Sequence, residues 1–132
     1  MTPIFKVDNV AYNVFVPEGG LKRTGSILDG KNAGRVISGD MVRDLIGTYY
    51  NYTLQLETQG LDAKSYDSLY EVLTAPVDYH TIVLPYGQGA LTFRAYISNV
   101  EDTLRMVRKG TNVWGSMTVN FVAMGPQRRR GG

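Results

Sequence analysis

The sequence predicts a mainly β protein: an antiparallel β-sandwich or split barrel with one flanking α-helix and a long loop. Three observations carry this. Apolar residues recur with period two along most of the chain, helical spacing is confined to residues 62–74, and glycine- or proline-centred turns separate the alternating runs. The 132 residues fit a single domain, 1–132, long enough to bury a core without staples.

Taken in order, residues 10–16 (VAYNVFV) read as a first strand with Val10, Tyr12, Val14 and Val16 on one face, ended by a turn at 17–20. A second strand follows at 21–28, where Gly25 marks a bulge or a weak point. From about 29 to 44 the glycine-rich stretch DGKNAGRVISGDMVRD holds no period and is long for a connection, which marks a functional or adaptable loop. The strongest strand signal is 45–57 (LIGTYYNYTLQLE). Ile46, Thr48, Tyr50, Tyr52, Leu54 and Leu56 share one face, and Gly47, Tyr49, Asn51, Thr53, Gln55 and Glu57 share the other, so one side is buried and one is polar. In 62–74, Ala63, Tyr66, Leu69, Tyr70 and Leu73 recur at helical spacing, with Asp62 as N-cap and Ala75-Pro76 as stop. A hairpin of 77–84 and 90–98 turns at 85–89. Its expected core faces are Val77, Tyr79, Thr81 and Val83 against Leu91, Phe93, Ala95 and Ile97. Residues 99–112 read as charged and irregular, with a turn at Lys109-Gly110. The last strand, 113–124 (VWGSMTVNFVAM), stops at Gly125-Pro126 before a basic tail, about 125–132.

Composition narrows the function classes. With no cysteine, disulfides and thiolate metal sites are excluded. The first ten residues, MTPIFKVDNV, have neither the cationic start nor the apolar run of a secretory leader, and no apolar run nears the roughly 20 residues a spanning helix needs. Net charge is +2, an excess that Arg128, Arg129 and Arg130 more than supply by themselves. The body is therefore close to neutral, which argues against a nucleic-acid domain with a basic face.

No arrangement of residues amounts to a catalytic or metal motif. His80, the one histidine, lies out of phase with the expected core of its strand, and Asp78 two residues away offers it a simple ion pair. The carboxylates Asp40, Asp44, Glu101 and Asp102 lack the spacing of a calcium loop or two-metal site. The stretch GKNAGRVISG carries Lys31 and Arg35 but no Gly-Lys-Ser/Thr ending, so it reads as an arm that orders against a neighbour and not as a phosphate cradle. No enzyme and no cofactor is expected. The interface candidates are Lys31, Arg35, Met41, Tyr49, Trp114, Arg128, Arg129 and Arg130. Trp114 is a core or rim aromatic, or else an interface anchor. The three arginines form a contact with an acidic surface or nucleic acid, or a solvated tail.

The order of MVRDLIGTYYNYTLQLE, the helix SYDSLYEVLT, the hairpin VDYHTIVLPYGQGALTFRAYISNV and the closing VWGSMTVNFVAM resembles small tail proteins of bacteriophages and prophages of Gram-positive bacteria, over roughly residues 22–124. The resemblance implies a structural virion protein of the tail tip, an adaptor, or the tail tube near a baseplate. It implies a β-sandwich flanked by a helix, a loop or hairpin reaching to the next subunit, and a homo-oligomeric, commonly hexameric, ring. Its partners would be copies of itself and other tail proteins, with DNA only as passing cargo and no membrane. Its location would be the virion tail, after assembly in the host cytoplasm. The family supplies no catalytic residues, and the arginine tail departs from its pattern. The polar face Asn51, Thr53, Gln55 and Glu57 would suit a channel lining, where fixed positive charge would hold DNA back. The alternative from the residues themselves is a small β-barrel nucleic-acid-binding module that uses Tyr49, Tyr50, Tyr52 and the arginine tail.

Overall fold

The structure, a computed structural model, describes residues 5–29, 34–35, 39, 41–43, 45–57 and 61–129. It is mainly β with one helix, as the periodicity predicts. In chain order the elements are β1 (Phe5–Val7), β2 (Val10–Tyr12), β3 (Leu21–Asp29), β4 (Gly34–Arg35), β5 (Met41–Val42), β6 (Leu45–Leu56), α1 (Ala63–Leu73), β7 (His80–Tyr86), β8 (Gly89–Arg108), β9 (Thr111–Ala123) and β10 (Arg128–Arg129). The main sheet is antiparallel and runs β2-β1-β7-β8-β9-β6, with β3 and β10 also on β6; β4 and β5 pair separately.

The sheet is rolled, and ring distances give the curvature. Phe5 on β1 and Phe121 on β9 are three strand positions apart, which would separate them by about 14 Å in a flat sheet. Their ring centroids are 5.9 Å apart. Tyr50 on β6 and Tyr86 on β7, equally distant in strand order, have centroids 5.1 Å apart. Beyond β2 the chain runs on to the other end of the sheet, where the Glu57 N–H donates to the Phe15 carbonyl and the Gln55 N–H to the Gly20 carbonyl. The result is an open, sandwich-like roll.

Alternation decides what fills it. Tyr52, Leu54 and Leu56 from β6 meet Met117, Val119, Phe121 and Ala123 from β9, Phe93 and Ala95 from β8, and Phe5 and Val7 from β1. Helix α1 closes the roll with Tyr66, Leu69 and Leu73, all buried. Asp62 caps it, its side chain accepting from the Ser65 N–H at 2.7 Å, and Thr74 ends it. The expected helix is thus found within a residue at each end.

Four expectations need correction. The first strand is short: β2 stops at Tyr12, Val10 is exposed, and β1 forms a hairpin with it through Asp8 and Asn9, both at positive φ. The register irregularity of β3 falls at Leu28/Asp29 and not at Gly25, which lies against the Tyr50 ring. On β7 the inward set is His80, Ile82 and Leu84, one residue out of phase with the expected Val77, Tyr79, Thr81 and Val83. The opposite set on β8, with Phe93 and Ala95 buried, is as expected. Residues 99–112 are continuous strand: β8 runs 20 residues and turns at Lys109-Gly110 into β9. Their charged side chains hide the strand from a period-two reading because this part has little buried face to alternate with.

The expected loop at 29–44 falls largely outside the described residues, apart from the β4–β5 ladder that pairs Gly34 with Val42 and Arg35 with Met41. The basic segment does not simply trail away. After Gly125-Pro126, Gln127 grips the Tyr50 backbone from both sides: its Oε1 accepts from the Tyr50 N–H and its Nε2 donates to the Tyr50 carbonyl, each at 2.9 Å. Arg128 and Arg129 then pair with Thr48 and Gly47 as β10.

Candidate interaction surfaces

The projecting end of the β8–β9 hairpin is the first surface. Beside β9, β6 reaches only to Leu56, opposite Met117, and β7 pairs β8 only as far as Ala95. From Thr103 outward the hairpin is a two-stranded ribbon, on the order of 20 Å long at the usual strand rise. It carries Leu104, Met106 and Val107 at 42%, 45% and 62% exposure, with Arg105, Arg108 and Lys109 among them. Such a ribbon is marginal by itself, and it exposes apolar side chains on both faces, Leu104 and Val107 on one and Met106 on the other.

Register shifts set the aromatic at its base. Between the pairs Asp102↔Met117 and Leu104↔Trp114, β9 takes three steps for two on β8. The extra residue turns Trp114 to the helix side, where it packs half-buried against the core. It helps line a cleft of about 440 Å³ with Leu61, Tyr66 and Thr111, and a smaller one of about 270 Å³ with Asp67, Tyr70, Glu71 and Asp102. The Tyr66 hydroxyl donates to Asp102 Oδ2 at 2.6 Å. Burial, then this bond, holds its proton well above the ordinary phenol range.

At the other end of the roll, two tyrosines and two arginines meet. Tyr86 Oη donates to Tyr50 Oη at 3.0 Å, and the Arg23 guanidinium lies 5.1 Å from the Tyr86 ring centroid. The Tyr86 hydrogen bond, followed by one from Arg128, pushes the Tyr50 phenol down from its ordinary value; the same bond, being donated, pushes Tyr86 up. The Tyr52 hydroxyl donates to the Pro85 carbonyl at 3.1 Å, and burial pushes its phenol up. The Arg23 guanidinium lies by the face of the Tyr86 ring. This cluster was not predicted, because its four members come from β3, β6, β7 and β10 and meet only when the sheet rolls.

The convex sheet face is polar. It presents Lys22 and Thr24 from β3, Asn51, Thr53 and Gln55 from β6, Thr118 and Asn120 from β9, and Glu101 from β8, paired across the strands, with Lys6 of β1 and Arg94 and Tyr96 of β8 exposed on the same side. Thr53 Oγ1 donates to Asn120 Oδ1 at 3.0 Å, and Asn51 Oδ1 accepts from the Ala123 N–H at 2.9 Å.

The interface candidates from the sequence are dispersed. Tyr49 is half-buried opposite Ser26, on the other face of β6 from Tyr50. Trp114 and Arg128 occupy opposite ends of the roll. Arg35, Met41 and Arg129 are placed by backbone pairing alone, and Lys31 and Arg130 lie outside the described residues. The three-tyrosine platform does not form as drawn: Tyr52 is in the core, and Tyr49 and Tyr50 face opposite ways.

His80 is buried, and it meets Asp8, not Asp78. Its Nδ1 is 2.7 Å from Asp8 Oδ2, while Asp8 Oδ1 accepts from the Thr81 N–H at 2.9 Å and the Asp8 N–H donates to the Thr81 carbonyl. The pair straps the β1–β2 turn to β7. Among the described residues, no three or more His, Asp or Glu side chains are grouped to hold a metal ion, and no helix is long and apolar enough to cross a membrane.

Compared with models of known protein families, the chain matches none, and comparison with curated proteins gives no significant match.

Proposed function

We propose that this chain is a structural subunit of a phage tail, a tail-tip, adaptor or tube component that packs with copies of itself into a ring. The observation that carries the reading is the β8–β9 ribbon, which holds Leu104, Met106 and Val107 beyond the last core residue of its own molecule. Their exposure costs hydration free energy in an isolated chain and is relieved by a neighbour that covers them. The convex face supports the same reading: a ring needs one face that stays wet, and this one mixes neutral amides and hydroxyls with Lys6, Lys22, Arg94 and Glu101. The subunit acts by shape and packing, with no catalytic step and no cofactor.

Size-exclusion chromatography with light scattering, together with negative-stain imaging, tests this. Rings or stacked rings are expected, and L104S/M106S/V107S should leave the fold intact and return the chain to monomer. Wild-type protein that remains monomeric at high concentration, while binding single-stranded DNA in a salt-dependent way, would replace this reading with a nucleic-acid-binding module.

A further inference from the structure

The outward sheet face carries an aromatic and basic diagonal. Lys6 of β1 is level with Val83 and Thr92; along β8, Arg94 lies two residues from Thr92 and Tyr96 two further. Tyr79, one residue beyond the last β7–β8 pair, His80↔Ala95, is abreast of Tyr96. On the far side Tyr96 pairs with Val122, and two residues along β9 the row Asn120, Thr53 and Lys22 reaches β3. Tyr79 and Tyr96 are 42% and 43% exposed, although each adjoins a buried residue, His80 or Ala95. The Arg94 guanidinium stands 5.3 Å from the Tyr79 ring centroid, and among the described residues the Tyr96 ring has no aromatic or cationic neighbour. The hydrogen-bonding groups left over along this line are mostly donors. Asn51 Oδ1 accepts from the Ala123 N–H and Asn120 Oδ1 from the Thr53 hydroxyl, which leaves each amide its NH2. Among the described residues, Lys6, Lys22 and Arg94 have no ion pair and no side-chain hydrogen bond. Glu101 is level with Thr118 and Gln55, beyond the last row of the diagonal. Net charge conceals the feature, because Asp67 and Glu71 stand on α1, on the other side of the sheet.

A partner that completes this face is anionic, rich in acceptors and equipped with flat rings. We propose that the diagonal binds single-stranded nucleic acid, with phosphates at Lys6, Arg94 and Lys22 and a base stacked on Tyr96. A duplex offers the same phosphates but keeps its bases stacked within itself, so the tyrosines stay uncovered. An acidic peptide offers charge without flat rings at nucleotide spacing. On a flattened sheet the diagonal crosses five strand spacings and six residues of rise, about 30 Å, room for about five nucleotides. The contact goes beyond ring formation and does not depend on it, since Leu104, Met106 and Val107 of the ribbon are not part of the diagonal.

Fluorescence anisotropy of a labelled oligothymidylate of about twelve nucleotides, titrated with the intact chain at low salt, tests this. With three phosphates neutralised, affinity should fall about tenfold for about a threefold rise in salt. Y96A should weaken binding about tenfold while Y96F, which keeps the ring, should not. R94Q should weaken binding and flatten the salt dependence. These side chains are exposed, so circular dichroism and the chromatographic mass should match wild type, which separates lost binding from lost folding or assembly. No binding by wild type overturns the contact, as do Y96A and R94Q that bind like wild type. Loss confined to R105Q/R108Q would assign binding to the ribbon and also overturn it. So would a duplex bound as tightly as the oligothymidylate and unaffected by Y96A. A monomeric wild type whose binding falls in Y96A supports the contact while ending the assembly reading, and rings that bind no oligonucleotide do the reverse.

Discussion

At the scale of single residues, the most informative finding is that His80 is a strap and not a surface residue. Its register was not legible because 77–86 alternates equally well in either phase. Val77, Tyr79, Thr81 and Val83 are as plausible a core set as His80, Ile82 and Leu84 until Asp8 supplies the histidine with a partner 72 positions away. Burial works to raise the Asp8 pKa, but hydrogen bonds from His80 and Thr81 and the histidine's charge outweigh it, and the net shift is downward. A carboxylate held below its unfolded value adds stability above the unfolded pKa, and loses it as pH falls through the folded one. Thermal melts should therefore show a component lost on acidification below the ordinary Asp range. D8N keeps a residue tolerated at positive φ and removes that component. Because Asp8 is half exposed, the effect is modest, at most about 1 kcal/mol. Equal pH dependence in wild type and D8N would show that the strap carries no charge contribution. Gly47 is a second decisive position. A Cβ there would collide with the Arg128 carbonyl oxygen and with Pro126, so G47A should detach β10 and lower stability by about 1–3 kcal/mol, read as a fall in melting temperature.

At the scale of elements, legibility tracked burial. The helix was readable because its apolar stripe, the Asp62 cap and the Ala75-Pro76 stop agree. The strands β6 and β9 were readable because one face of each is core and the other wet. The outer half of the β8–β9 hairpin was not, since a ribbon in solvent has no apolar face to repeat, and only its turn at Lys109-Gly110 left a signal. Its exposed Leu104, Met106 and Val107 are the clue that survives at residue level. If the ribbon serves only as a contact, its truncation should be nearly silent for the fold. Replacing 104–113 by a two-residue turn should shift the melting temperature by only a few degrees yet abolish association, whereas L69A, at the centre of the core, should cost about 2–5 kcal/mol. Truncation that unfolds the protein would place the ribbon in the stability of the domain and not in assembly.

At the scale of the whole molecule, the roll brings Arg23, Tyr50, Tyr86 and Arg128 together from four strands and keeps Asp67 and Glu71 on a separate face. No sequence rule could place those arginines beside those tyrosines, because the meeting depends on curvature and on the Gln127 clamp. The molecule that results has two unlike ends. The central claim is that this chain works by packing against itself. Light scattering on a size-exclusion column, at rising protein concentration and low salt, measures that directly. The account predicts a defined multiple of the 14.6 kDa chain mass, seen as rings in negative stain and lost in L104S/M106S/V107S. A constant mass of one chain at every concentration, unchanged by that substitution, would contradict it.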